Sequence, residues 1–189
     1  LDIGGESTRP GAVSVSPLEE LDRVAPVIEG LVGQKLISID TRHASVMQRA
    51  VELGAGLIND VSALTADPLS LEVAAATGIP ILLMHAQGDP GTMQKNPEYE
   101  HALLDVYDGL MDRITACETA GISRARLIVD PGIGFGKTLA HNVEILHGLS
   151  LLHGLGCPLA IGLSRKSMIA ALDERSSSKD RLAGSIAGA

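Results

Sequence analysis

The sequence predicts an α/β fold of the (βα)8 TIM-barrel type, present here as a partial barrel of about six βα units in one domain over residues 1–189. Three observations carry this. Short, β-rich apolar runs recur along the chain. Helical patterns alternate with them, and almost every run ends in a polar residue. The last observation separates barrel from open sheet. A doubly wound sheet binds its ligand at one switch point, where two or three polar strand ends suffice, whereas a barrel brings every strand end to one mouth.

In chain order, Leu1-Asp2-Ile3 reads as the tail of a strand, followed by the loop Gly4-Gly5-Glu6-Ser7-Thr8-Arg9-Pro10-Gly11. Ser16-Pro17-Leu18-Glu19 is a capping box with Pro at the first helical position. It opens a helix whose apolar stripe is Leu21, Val24, Ala25, Ile28 and Leu31, with a kink expected at Pro26. Strands are expected over 36–40, 56–60, 80–84, 126–130 and 158–162. Helices are expected near 43–53, 68–77, 98–120 (stopped by Gly121), 139–153 and 166–173, with another from about Asp180. Ser176-Ser177-Ser178 reads as a short loop. A full barrel takes about 250 residues, so roughly one unit is expected to be missing at each end. The opening on Leu1-Asp2 and the close on Ser185-Ile-Ala-Gly-Ala also read as those of a fragment.

Composition narrows the function. Hydrophobic residues make up 45% of the chain but aromatics only 2%, so Leu, Ile, Val and Ala must fill the core, and the single Phe beside a motif is conspicuous. The net charge of −8 and the lack of a basic run argue against nucleic acid as a partner. No apolar run reaches a membrane span or a signal segment, and Cys117 and Cys157 lack metal-type spacing and read as buried apolar residues. A cytoplasmic setting is expected.

Polar residues at the strand ends are the candidates for chemistry: Asp2, Asp40, Asn59 with Asp60, His85, Asp130, and Ser164 with Arg165. Asp40, Asn59 and Asp130 are short acceptor-bearing side chains from three strands, suited to a heterocycle with several N–H donors. Singly, each is equally explained by strand-end turn bonding. The Gly4–Gly11 loop offers Ser7, Thr8 and Arg9 to an oxyanion, or is an ordinary connection. Gly162-Leu163-Ser164-Arg165-Lys166-Ser167 places two cations at a helix start, where they oppose the helix dipole and so suit a phosphate or carboxylate ligand. His101, His141, His147 and His153, Tyr99, Tyr107 and the methionines other than Met84 read as helix-face or core residues.

The stretch DPGIGFGKT, residues 130–138, imitates a nucleotide-binding phosphate loop. Pro131 occupies the position of the first glycine and removes an N–H, and Asp130 would set a carboxylate beside the phosphates. A barrel-mouth loop presenting Asp130 and Phe135, with Lys137 structural, accounts for more of the residues.

Taken together, IGGESTRPGA, SIDT, INDVSA, LLMH, DPGIGFGK, GLSRKS and RLAGS resemble, in order, the motifs of the dihydropteroate synthase family of pterin-binding (βα)8 enzymes. The resemblance implies a cytoplasmic transferase of folate biosynthesis and a sulfonamide target. Such an enzyme condenses 6-hydroxymethyl-7,8-dihydropterin diphosphate with p-aminobenzoate, with Mg2+ assisting the departing diphosphate, and often dimerises. By matching motif it implies Asp40, Asn59, Asp130 and Lys166 as pterin-binding residues with Met84 lining the pocket. Thr8 would contact the diphosphate-bearing substrate, and Arg9, Pro10, Phe135, Lys166 and Ser167 would form the p-aminobenzoate site. Asp40, Asp130 and Lys166 carry the chemistry in this reading. The family's strand bearing the Asn that contacts Mg2+, and its strand bearing an Arg and a His at the anion site, are not in this sequence, so no metal ligand is expected here. The alternatives are a pterin barrel that passes a methyl group from methyltetrahydrofolate to a corrinoid, a pterin-binding fragment without catalysis, and a phosphate-loop switch.

Overall fold

The computed structural model describes residues 1–9, 12–88, 92–172 and 181–188. Five strands, β1 (Asp2–Gly4), β2 (Ser38–Asp40), β3 (Leu57–Asp60), β4 (Ile81–Met84) and β5 (Leu127–Asp130), form one parallel sheet in the order β1-β2-β3-β4-β5. Each parallel neighbour needs a crossover, and crossovers of one hand in strictly sequential order put all the helices on one face. A doubly wound sheet would reverse its order part-way. The sheet is therefore a barrel wall, and the chain is a partial (βα)8 barrel.

The helices are α1 (Pro17–Leu31), α2 (Ala44–Glu52), α3 (Ser70–Thr77), α4 (Ala102–Thr119), α5 (Leu139–His147), α6 (Leu149–Leu152), α7 (Ser167–Leu172) and α8 (Leu182–Ala187). Register explains the core. Ile39, Ile58, Ile81 and Leu127 are aligned across four strands, point to the helices and are fully buried. Each contributes on the order of 1.5–3 kcal/mol by leaving water. Val24 and Ile28 of α1, Val46 and Met47 of α2, and Val106, Leu110 and Ile114 of α4 close the layer from outside. The alternate strand residues, Asp40, Asn59, Met84 and Asp130 among them, point to the barrel interior.

Several expectations are corrected. The run 158–162 does not form a sixth strand: a single bridge joins Leu159 to Val129, through the Pro158 carbonyl and the Ala160 amide. With no partner for its other edge among the described residues, the run lacks the second ladder that would hold it extended. Helix α4 begins at Ala102 rather than 98, since the Asp105 carboxylate accepts from the Glu100 and His101 amides and ties the preceding turn back. The expected 139–153 helix breaks at Gly148 into α5 and α6. The apolar stripe of α1 continues past Pro26 as expected, with Val24 and Ile28 buried on either side of it. Ser16 caps α1 through the Glu19 amide, but the Glu19 carboxylate turns to Arg23, so the reciprocal half of the capping box is missing. Pro10 and the Ser176–Ser178 loop lie outside the described residues, as does Asp180, and α8 starts at Leu182.

Candidate active site

Three strand ends converge at the mouth. Gly4, Asp40 and Asn59 are aligned across β1, β2 and β3, and Met84 is aligned with Asp130 across β4 and β5. Aligned residues of a parallel sheet share a face, so Asp40 and Asn59 present their polar groups side by side. The Asn59 amide donates to Asp2 Oδ2 at 3.1 Å, placing Asp2 in the same polar row. Asp40 Oδ1 is buried without a hydrogen-bond partner among the described residues. Burial, then the neighbouring Asp2, Asp60, Glu20 and Glu6 carboxylates, push the Asp40 pKa up to about 7. A buried acceptor in this state costs stability until a donor reaches it.

The loop after β5 is fixed from every side. Asp130 Oδ1 accepts from the Gly132 amide at 2.7 Å, and burial raises the Asp130 pKa against the opposing pull of that bond and of Lys166 and Lys137. Gly132, Gly134 and Gly136 all have positive φ, and a Cβ at Gly132 would strike the His85 carbonyl oxygen. The Gly134 amide donates to Asn142 at 2.7 Å, its carbonyl accepts from Gln94 at 2.5 Å, and the Gly136 carbonyl accepts from the Tyr99 hydroxyl at 2.9 Å. Lys137 is buried on protein acceptors, which closes the phosphate-loop reading: its ammonium faces His85 and loop carbonyls rather than a ligand cradle.

Lys166 lies against the loop after β5. Its ammonium donates to the Ile133 carbonyl and sits 4.9 Å from the centre of the Phe135 ring, within cation–π reach. Burial lowers its pKa, and Asp130 partly restores it. Arg165, beside it, adopts a left-handed φ of 57°, a strained conformation for a non-glycine residue. A cleft of about 160 Å³ is lined by Gly134, Lys166, Ser167 and Met168. A second, of about 310 Å³, is lined by Thr8, Arg42, Ser62, Thr65, Met93 and Phe135. Neither cleft is lined by Asp40, Asn59 or Asp130. Arg9 is exposed, and Met84 is buried under the mouth.

Sequence reasoning missed several residues here. Arg42 holds Glu6 through two bonds of 2.7 and 3.0 Å and Ser14 through one of 3.0 Å, anchoring the loop after β1. Tyr99 and Asn142 clamp the loop after β5, and His141 completes a capping box with Thr138 and packs edge-on to Tyr99 at 4.9 Å. Thr138 is a usual capping residue, but the partner three positions on is His rather than the Glu or Gln of the sequence pattern.

Residues 1–189 match the family model of pterin-binding enzymes, and the chain belongs to that family. It is 46% identical over 189 residues to the dihydropteroate synthase of Escherichia coli K12, covering 99% of this chain and 66% of that protein. It therefore spans about two thirds of that relative's length. Its fold is similar to the Yersinia pestis dihydropteroate synthase in complex with a sulfonamide drug, with TM-score 0.95 and 47% identity over 99% of this chain and 68% of that one. It is also similar to the Xanthomonas albilineans dihydropteroate synthase with 4-aminobenzoic acid, with TM-score 0.92 and 48% identity over 99% and 67%.

Proposed function

We propose that this member of the pterin-binding enzyme family contributes the pterin and p-aminobenzoate sites of a cytoplasmic dihydropteroate synthase. The observation that carries the reading is the buried Asp40 Oδ1, without a partner among the described residues and in register with Asn59, facing the mouth that Asp130 also enters. A pterin presents amino and ring N–H groups. Asp40, Asn59 and Asp130 supply acceptors for them, and Met84 lies beneath. Lys166, electrostatically coupled to Asp130 and set against Phe135, joins the pterin acceptors to the face on which the p-aminobenzoate ring stacks. Ser167, at the start of α7, and Arg9 complete the carboxylate and loop contacts, Pro10 enters this reading through the resemblance alone, and Thr8 meets the diphosphate-bearing arm.

In the reaction the aniline nitrogen forms a C–N bond to the pterin methylene while the C–O bond to diphosphate breaks, and the proton lost from the nitrogen is taken up by the departing diphosphate. Positive character develops on the methylene carbon, and the carboxylates of Asp40 and Asp130 stabilise it electrostatically. No side-chain nucleophile is required. The Mg2+ that the resemblance implies finds no donor set here: among the described residues no group of three or more His, Cys, Asp or Glu is placed to hold a metal. Two such chains pair as a homodimer, which sedimentation velocity tests.

The test assays this chain, and a longer one supplying the remaining third of the relatives' length, for pterin-diphosphate-dependent incorporation of p-aminobenzoate. Formation of 7,8-dihydropteroate by the longer chain is the expected result. No product, or methyl transfer from methyltetrahydrofolate instead, overturns the reading.

A further inference from the structure

Lys137 is the buried cation that the proposed reaction does not use. Its ammonium lies 3.0 Å from His85 Nδ1, 3.2 Å from the His85 carbonyl, 3.1 Å from the Gly132 carbonyl and 3.0 Å from the Phe135 carbonyl. Three ammonium protons are thus shared among four acceptors on two different loops. For Nδ1 to accept, the imidazole must be neutral and carry its proton on Nε2. Burial, then the charge of Lys137, pulls the His85 pKa down to about 4, which keeps the ring neutral. Gly109 of α4 lies against the ring edge, where a Cβ would come within 3.0 Å of the ring carbon.

We propose that Lys137 is a positioning residue whose bridge from His85 to the Gly132 and Phe135 carbonyls places Asp130 and the Phe135 ring together. The geometry links the two ends directly. Gly132, whose carbonyl Lys137 binds, donates its amide to Asp130, and the Phe135 amide returns to the Gly132 carbonyl at 3.0 Å. One contact therefore sets both the acceptor at the start of the loop and the ring within it. What the loop binds rests on the proposed function; that Lys137 holds the loop does not.

The titratable and charged groups facing this bridge are Asp130 of β5, Lys166 before α7 and His85 after β4. Tyr99 lies with its ring 6.2 Å from His85, and Asp105 of α4 and His141 of α5 stand behind it. Burial pulls the Lys137 pKa down to about 7, with Asp130 opposing and Lys166 adding to the fall.

The test compares Lys137→Met, His85→Leu and His85→Asn in this chain. The Asn carboxamide oxygen replaces Nδ1, so of the two His85 variants only His85→Asn keeps a side-chain acceptor for the ammonium, while the backbone carbonyls of residues 85, 132 and 135 remain in both. Amide hydrogen exchange at Gly134 and Phe135 is read first, without ligand. Exchange should rise about tenfold in Lys137→Met and His85→Leu and stay within about threefold of the parent in His85→Asn. Calorimetric binding of 6-hydroxymethylpterin should follow the same order. Unchanged exchange in Lys137→Met or His85→Leu, or a His85→Asn variant no better than His85→Leu, overturns the proposal. If Lys137→Met does not fold, the two His85 variants decide alone. A parent chain that takes up no pterin counts against the proposed function and leaves the exchange result to decide this one.

Discussion

The loops after β1 and after β5 both enter the mouth, but they are held in different ways. Residues 131–137 are fastened by side chains from several directions: Asp130, Gln94, Tyr99, Asn142, Lys166 and Lys137 all bond their backbone. The loop after β1 is fastened at its two ends. Glu6 and Ser14 bond Arg42, the Val15 amide bonds Glu6, and the Gly5 carbonyl accepts from Arg23. Between these anchors the bonds seen among the described residues are internal, from the Arg9 amide to Ser7 and from the Ala12 amide to the Arg9 carbonyl. One loop is a floor braced along its length, and the other, over its described residues, is a cover anchored at its ends. A site of the kind proposed above, holding a flat heterocycle in register while admitting a second substrate, needs both.

The comparison breaks most readily at Gly132. Gly132→Ala meets a positive φ and the His85 carbonyl together, so it should cost about 2–4 kcal/mol in thermal or urea unfolding. A variant as stable as the parent would show that the floor is not rigid.

Asp130→Asn replaces the carboxylate that bonds the Gly132 amide and faces Lys166. Pterin affinity should fall by about 1–3 kcal/mol, tenfold or more in Kd. Unchanged affinity by calorimetry removes Asp130 from the site.

Asp40 supplies the pH dependence. Its folded pKa of about 7 stands above its ordinary 3.8, so its contribution to stability is fully present below 3.8 and is lost as pH rises through 7. Asp40→Asn should therefore be more stable than the parent at pH 8, by about 2–5 °C in Tm. It should bind pterin less tightly and lose the parent's fall in affinity below pH 7. A variant that melts at or below the parent's temperature at pH 8 sinks this assignment.

On the cover, burial tends to raise the Glu6 pKa, but the bonds from Arg42 and Val15 prevail and lower it. The stability this pair contributes is present above the ordinary value of 4.5 and lost as pH falls through the lower folded pKa. Glu6→Gln should cost about 1 kcal/mol at neutral pH. Limited proteolysis of residues 5–15 should quicken while the loop after β5 stays protected. Thr8→Ala should change stability by less than about 0.5 kcal/mol, and its effect should appear only in turnover of the diphosphate-bearing substrate. A stability loss as large as that of Gly132→Ala would erase the distinction between cover and floor.

How much of this was legible in the sequence varies with sequence separation. The alternation of apolar runs and helical stripes located five strands and every long helix, because those patterns repeat within a few residues. The acidic and amide strand ends, Asp40, Asn59 and Asp130, were found for the same reason. The sixth strand failed because a run of suitable residues becomes a strand only when a neighbour supplies its ladder.

The sequence by itself determined the periodicity, the polar residue at each strand end, and the glycines at 132, 134 and 136 that let a loop turn tightly. Those properties belong to the local chain. Only the tertiary structure decided that Lys137 pairs with His85, 52 positions earlier in the chain, that Arg42 reaches back 36 positions to Glu6, and that Asp40 Oδ1 is left without a donor among the described residues. A buried charge or acceptor takes its meaning from the groups that burial brings to it, and those come from distant parts of the chain.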